Sequence, residues 1–139
     1  MTNLQAAIGV APLERLDEFI LRKRDMGKLY TELLQHLPEL QLPLPETHYA
    51  MNIYWVYGVV LRDSFRLDAE QLMGVLARQK IGTRPFFWPM YEQPVFQRMG
   101  FFRNENYPVA ERHARRGYYL AQWSGSESRP NLSCGEFFG

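Results

Sequence analysis

Prolines divide this chain before any other feature does. Pro38, Pro43 and Pro45 crowd one stretch and Pro85, Pro89 and Pro94 another. Each holds φ at about −65° and removes a backbone donor, so neither stretch suits a helix interior or a central strand. Regular structure must lie outside them. Ahead of the first cluster, residues 2–37 place Leu13, Leu16, Ile20, Leu29, Leu33 and Leu37 at helical spacing, which predicts one or two helices with a kink or break just before Pro12. Residues 40–42 form a short extended piece. Residues 49–61 lack proline and are rich in aromatic and β-branched side chains, which predicts a strand covered on both faces, with Trp55 in the core. Asp68 is placed to cap a helix running to Gln79, with Leu72, Val75 and Leu76 inward and Gly82 just past its end. A short strand and an irregular segment follow. Pro108 opens a last helix ending near Gly117, with Val109, Ala110 and Ala114 inward and Glu111, Arg112, Arg115 and Arg116 outward, ahead of a brief strand at 118–120. The sum is an α+β fold: a long leading helix and a short sheet with helices packed on one side.

Composition narrows the function. A chain of 139 residues, 46% hydrophobic and 22% charged, suits one ordinary core. A net charge of +1 provides no field for a nucleic-acid backbone or an anionic membrane, and the basic runs at Arg22-Lys23-Arg24 and Arg115-Arg116 sit beside acids as solvated helix faces. The longest apolar run, 53–61, is interrupted by Gly58 and falls well short of the roughly 18 residues a membrane span needs. No signal-like pattern follows Met1, so the chain reads as cytoplasmic. One cysteine, Cys134, excludes an internal disulfide, and His36, His48 and His113 are not at metal-ligand spacing.

Four motifs stand in order along the chain: NLQAAIGVAPLERLDEFILRKRDMGKLYTELL, NIYWVYGVVL, IGTRPFFWPMYEQPVFQRMG and NYPVAERHARRGYYL. Together they resemble the DegT/StrS family of pyridoxal-phosphate-dependent nucleotide-sugar aminotransferases, especially its perosamine-synthase-like members, over residues 2–120. The resemblance implies the small C-terminal domain of a fold-type-I aminotransferase, whose long leading helix joins a larger α/β domain that carries the cofactor. It also implies amino transfer to a nucleotide-linked keto-sugar of the polysaccharide or O-antigen type, and a homodimer with active sites at the subunit interface.

In such enzymes the segment corresponding to residues 81–96 lies beside the active-site mouth. Its prolines and rings would hold Arg84, Tyr91 and Gln93 in fixed directions at little ordering cost on binding, with Arg84 facing a phosphate or hydroxyl of the nucleotide sugar. Asn52, near the domain interface, is a further substrate candidate. Many relatives have histidine where this chain has Tyr91, which can donate or accept a hydrogen bond but is larger and titrates near 10. The alternative is plain packing: Phe86, Phe87, Trp88 and Phe96 as core and Arg84 as a surface ion-pair partner.

Transamination needs a Schiff-base lysine, an acid for the pyridine nitrogen and a phosphate cup, which the family keeps in its large domain. Lys23, Lys28 and Lys80 are the only lysines here, and none matches the family's lysine motif. The opening MTNLQ resembles the interior of the family's RMTNLQAAIG sequence. The expectation is therefore a C-terminal fragment with no catalytic residue and no bound pyridoxal phosphate of its own, inactive alone. The alternatives are a non-catalytic binding module and the small subunit of a split enzyme whose large domain is separately encoded. Residues 121–139, AQWSGSESRPNLSCGEFFG, are rich in serine and glycine, depart from the family pattern and read as a disordered tail. One base gained at the Ala121 codon would explain them, since the shifted frame permits Pro-Ser-Gly-Leu-Gly and then Asp-Gln-Ile in the family's order. The domain would then lack its last helix.

Overall fold

A computed structural model describes residues 2–120; the expectations about 121–139 lie outside the described residues. Helix α1 (Asn3–Leu13) starts from a capping box in which the Gln5 amide donates to Thr2 Oγ1 at 3.3 Å and the Thr2 amide donates to Gln5 Oε1 at 2.8 Å. The predicted break before Pro12 is displaced: Pro12 sits inside α1, and the chain breaks at Glu14 and Arg15 before α2 (Leu16–Leu34) begins. No residue of α1 is buried, so water can satisfy the one carbonyl that proline leaves without a donor.

Only the later half of α2 joins the core. Gly27, Tyr30 and Leu34 are buried, and Leu37 just beyond the helix joins them, whereas Leu29 and Leu33 are half-buried and Leu13 and Leu16 are exposed. The inward stripe is one residue away from the predicted one. An aromatic stack explains the shift: Tyr30 packs on Tyr57 at 5.0 Å between ring centroids, Tyr57 on Tyr54 at 5.8 Å, and the Thr31 and Tyr57 hydroxyls lie 2.8 Å apart. Counting aliphatic residues along the helix misses a face built on tyrosine.

The sheet has strands β1 (Leu40–Gln41), β2 (Tyr57–Leu61), β3 (Thr83–Pro85) and β4 (Gly117–Leu120), in the order β1-β2-β4-β3 with every pairing antiparallel. Tyr57 opposes Leu120 and Val59 opposes Tyr118, so these four share a face with Leu61 and its partner Leu40. That face, covered by Tyr30 and Leu34 of α2 and by Leu72 and Leu76 of α3 (Ala69–Arg78), is the core. Burying each such Leu or Val is worth about 1.5–3 kcal/mol relative to exposure.

The predicted strand over 49–61 is shorter than expected. Only its last five residues join the sheet, because Asn52 ties the preceding ones into a loop, where Met51 bridges to Glu46, and Tyr54 takes a left-handed φ of 49°. Trp55, expected in the core, is 66% exposed, and Tyr54 is the ring that turns inward.

Helix α3 is capped as predicted: the Gln71 amide donates to Asp68 Oδ1 at 2.8 Å and the Asp68 amide donates to Gln71 Oε1 at 3.0 Å. Its end differs. The left-handed residue is Lys80, with φ 62°, and not Gly82. The Ile81 amide donates to the Leu76 carbonyl and the Lys80 amide to the Ala77 carbonyl, while Ile81 and Leu76 join the same core cluster: a Schellman ending completed by an apolar contact.

After β3 the prolines do not exclude helix altogether. Met90–Glu92 forms a 3₁₀ turn, and Pro94 takes the first position of a short helix α4 (Pro94–Arg98), where its missing donor costs nothing. In α5 (Pro108–Arg116), Ala114 is buried, but Val109, expected inward, is 68% exposed and Ala110 is exposed as well. Arg116, expected outward, instead donates to the carbonyls of Arg62, Phe65 and Leu67, so its planar fork gathers the turn that leads into α3.

Candidate functional site

The sheet face opposite the core carries one of the candidate residues, Arg84. Arg84 opposes Tyr119, and Tyr119 opposes Gly58, so these three project to the same side. Phe86 stacks on Tyr119 at 4.4 Å, and its ring tip would lie 3.0 Å from a Cβ at Gly58 and would overlap one at Gly117. Two glycines on adjacent strands thus make room for one ring. Phe86 is half-buried by this seat; Phe87, three-quarters exposed, meets Tyr119 edge-on at 6.1 Å. The aromatic segment is therefore neither simple core nor simple surface.

Arg84 is exposed, and its guanidinium has no hydrogen-bond or ion-pair partner among the described residues. Tyr91, in the 3₁₀ turn, packs its ring against Tyr107 at 5.0 Å. Its hydroxyl is shielded from solvent and has no hydrogen-bond partner of normal geometry among the described residues. Burial first, and the nearby Glu111 carboxylate second, raise its pKa above the ordinary value, so the phenol stays protonated through the neutral range. It can serve there as a donor and not as a base.

Gln93 closes its own turn, donating from Nε2 to the Trp88 carbonyl at 3.5 Å while its own carbonyl accepts from Phe96 and Gln97. Arg84, Tyr91 and Gln93 are thereby brought onto one tightly folded segment. Asn52 lies elsewhere and has both ends of its amide engaged: Nδ2 donates to the Leu44 carbonyl at 3.0 Å and Oδ1 accepts the Tyr54 amide at 2.7 Å. Its backbone carbonyl accepts Arg24 Nε at 3.3 Å, which fastens the loop to α2.

The pattern reading missed Arg115 as a contact residue. It forms two bonds to Glu92, at 3.1 and 3.0 Å, and its guanidinium lies 5.1 Å from the Trp88 ring centroid. The basic pair Arg115-Arg116 looks like a solvated face in sequence; only the fold puts Glu92, 23 residues away, opposite it.

Lys23 donates to the Trp55 carbonyl at 3.4 Å and burial lowers its pKa, Lys28 is on the exposed side of α2, and Lys80 is the exposed left-handed residue ending α3. No group of three or more metal-ligating side chains occurs among the described residues, and no described helix is long and apolar enough to cross a membrane.

With a short antiparallel sheet, helices on its core face and a stiff aromatic segment on the other, the architecture is that of a fold-type-I aminotransferase domain, and the chain belongs to the DegT/DnrJ/EryC1/StrS aminotransferase family, which it matches over residues 1–129. It is 35% identical over 125 residues to the GDP-perosamine synthase of Vibrio cholerae, covering 90% of this chain and 33% of that enzyme. It is 32% identical over 120 residues to the GDP-perosamine synthase of Escherichia coli O157:H7, covering 86% of this chain and 30% of that enzyme. Among solved structures, Spr1654 of Streptococcus pneumoniae, assigned as a sugar aminotransferase and crystallised in its PLP form, superposes with a TM-score of 0.82 at 18% identity, covering 99% of this chain and 35% of that one. The chain thus spans about a third of the length of the curated relatives it matches.

Proposed function

We propose that this chain forms the substrate-facing small domain of a pyridoxal-phosphate-dependent aminotransferase that transfers an amino group to a nucleotide-linked keto-sugar, in the cytoplasmic synthesis of sugars for surface polysaccharide. The observation that carries this reading is the segment 83–94, matched in family and fold, which displays an exposed arginine, without an ion-pair partner among the described residues, from a strand braced by stacked rings. Arg84 meets a phosphate or hydroxyl of the nucleotide sugar, Tyr91 donates a hydrogen bond, and Gln93 holds the turn and completes the contact. Asn52 acts at one remove, keeping the 44–54 loop fastened to α2. The work of the cofactor falls to a large domain, contiguous or separately encoded, in a homodimeric assembly. No step of the amino transfer is carried by the described lysines.

The residues present do not fit the cofactor, so the chain by itself is expected to form no pyridoxal-phosphate Schiff base and to have no transaminase activity. Absorbance spectra of the purified chain titrated with the cofactor check this. A stable Schiff-base band that borohydride fixes onto Lys23, Lys28 or Lys80 overturns it.

A further inference from the structure

We infer that α5 is a latch for the substrate-facing turn, with Arg115 as its positioning residue; the inference rests on the reading that this turn faces substrate. Three residues, two of α5 and the one before it, contact residues 88–92. Arg115 grips Glu92 through two charge-assisted bonds and covers Trp88 with the same guanidinium. Glu111, one helical turn earlier, sets its charge beside the shielded Tyr91 hydroxyl. Tyr107, the residue capping α5, packs on the Tyr91 ring.

This pattern differs from an ordinary surface ion pair. The Glu92 side chain is only 19% exposed although Arg115 is 49% exposed, so the carboxylate is fixed and partly desolvated while the arginine spans from α5 to reach it. A forked, planar cation can hold a carboxylate by two bonds and lie over an indole at once; an ammonium cannot do both. Besides Arg115, the turn is held by the Tyr107 ring against Tyr91 and by the buried Pro89. Two side-chain bonds close the segment on itself: Gln93 to the Trp88 carbonyl and Gln97 to the Tyr91 carbonyl. Such bonds shape the turn but do not orient it toward the sheet. Arg115 does, because α5 runs directly into β4, the central strand that also pairs with Arg84. One continuous piece of chain therefore sets both Arg84 and the Tyr91 turn.

Hydrogen–deuterium exchange on the full chain tests the latch. Arg115→Ala should accelerate exchange across residues 86–98 by roughly three- to tenfold, the range spanned by a strong exposed pair and a charge-assisted bond, while peptides of β2 and α3 keep their protection. Arg115→Lys should recover part of the loss, and the exchanged pair Arg115→Glu with Glu92→Arg should recover most of it. Unchanged exchange in Arg115→Ala, a uniform acceleration over the whole chain, or a charge-exchanged pair no better protected than Arg115→Ala overturns the latch. Adding GDP-mannose to the parent chain separates this from the functional reading. Failure of the nucleotide sugar to protect residues 83–93 counts against substrate facing, whereas the variants alone decide the latch.

Discussion

Gly27 carries more of the structure than its lack of a side chain suggests. A Cβ there would overlap the Tyr54 ring, which is buried and held by a left-handed backbone. Gly74, in the interior of α3, has open space where its Cβ would be. The two glycines should therefore respond in opposite ways to the same change. Gly27→Ala forces a buried ring to move, an overpacking cost of about 1–3 kcal/mol that exceeds the gain of up to about 1 kcal/mol from better helix propensity. Gly74→Ala meets no obstacle and should stabilise by about 0.5–1 kcal/mol. Urea unfolding midpoints of the two variants measure the contrast, and a stabilised Gly27→Ala would show that the Tyr54 stack does not anchor α2. Asn52 and Trp55 illustrate why single residues are hard to read from sequence. A tryptophan inside an apolar run suggests core, but one asparagine bonded to Leu44 and Tyr54 rotates the chain out of strand geometry and leaves the indole in solvent.

At the scale of elements, the local chemistry of the chain was legible where it acts over three or four residues. The Asp68 cap, the Pro108 start and the brief final strand all follow from neighbouring residues. Long-range choices were not. The inward stripe of α2 depends on a tyrosine stack contributed by residues 54 and 57, and Arg116 turns inward because a distant turn presents three carbonyls to it. In the candidate site, Arg84, Tyr91 and Gln93 are picked out together by the family resemblance, which falls on one proline-bound stretch, whereas Arg115 is not, since no pattern within α5 announces Glu92. The two ends of α3 offer a paired test. Asp68→Ala removes the side-chain oxygen that accepts the Gln71 amide, one half of the capping box, and should cost about 1 kcal/mol. Lys80→Gly relieves a side chain held at φ 62° and should stabilise by about 1 kcal/mol. Thermal unfolding followed by circular dichroism would register both; a destabilising Lys80→Gly would mean that the lysine side chain contributes more than its backbone strain costs.

For the whole molecule, the core is concentrated on one sheet face while α1 and the start of α2 leave Leu4, Ile8, Leu13, Leu16 and Phe19 exposed. The proposed substrate contacts lie on the other sheet face and depend on chemistry supplied by a large domain. The central claim is that Arg84 on that face handles a nucleotide sugar in an assembled aminotransferase. Its most direct test is a chimera in which this chain replaces the matching third of the Vibrio cholerae GDP-perosamine synthase, with kcat/KM for amino transfer measured in the parent chimera and in Arg84→Ala. The account predicts an active parent and a variant that folds normally but loses about 1.5–3 kcal/mol of transition-state binding, roughly 10- to 150-fold in kcat/KM. A folded but inactive parent chimera, or an Arg84→Ala variant with unchanged kcat/KM, would contradict it.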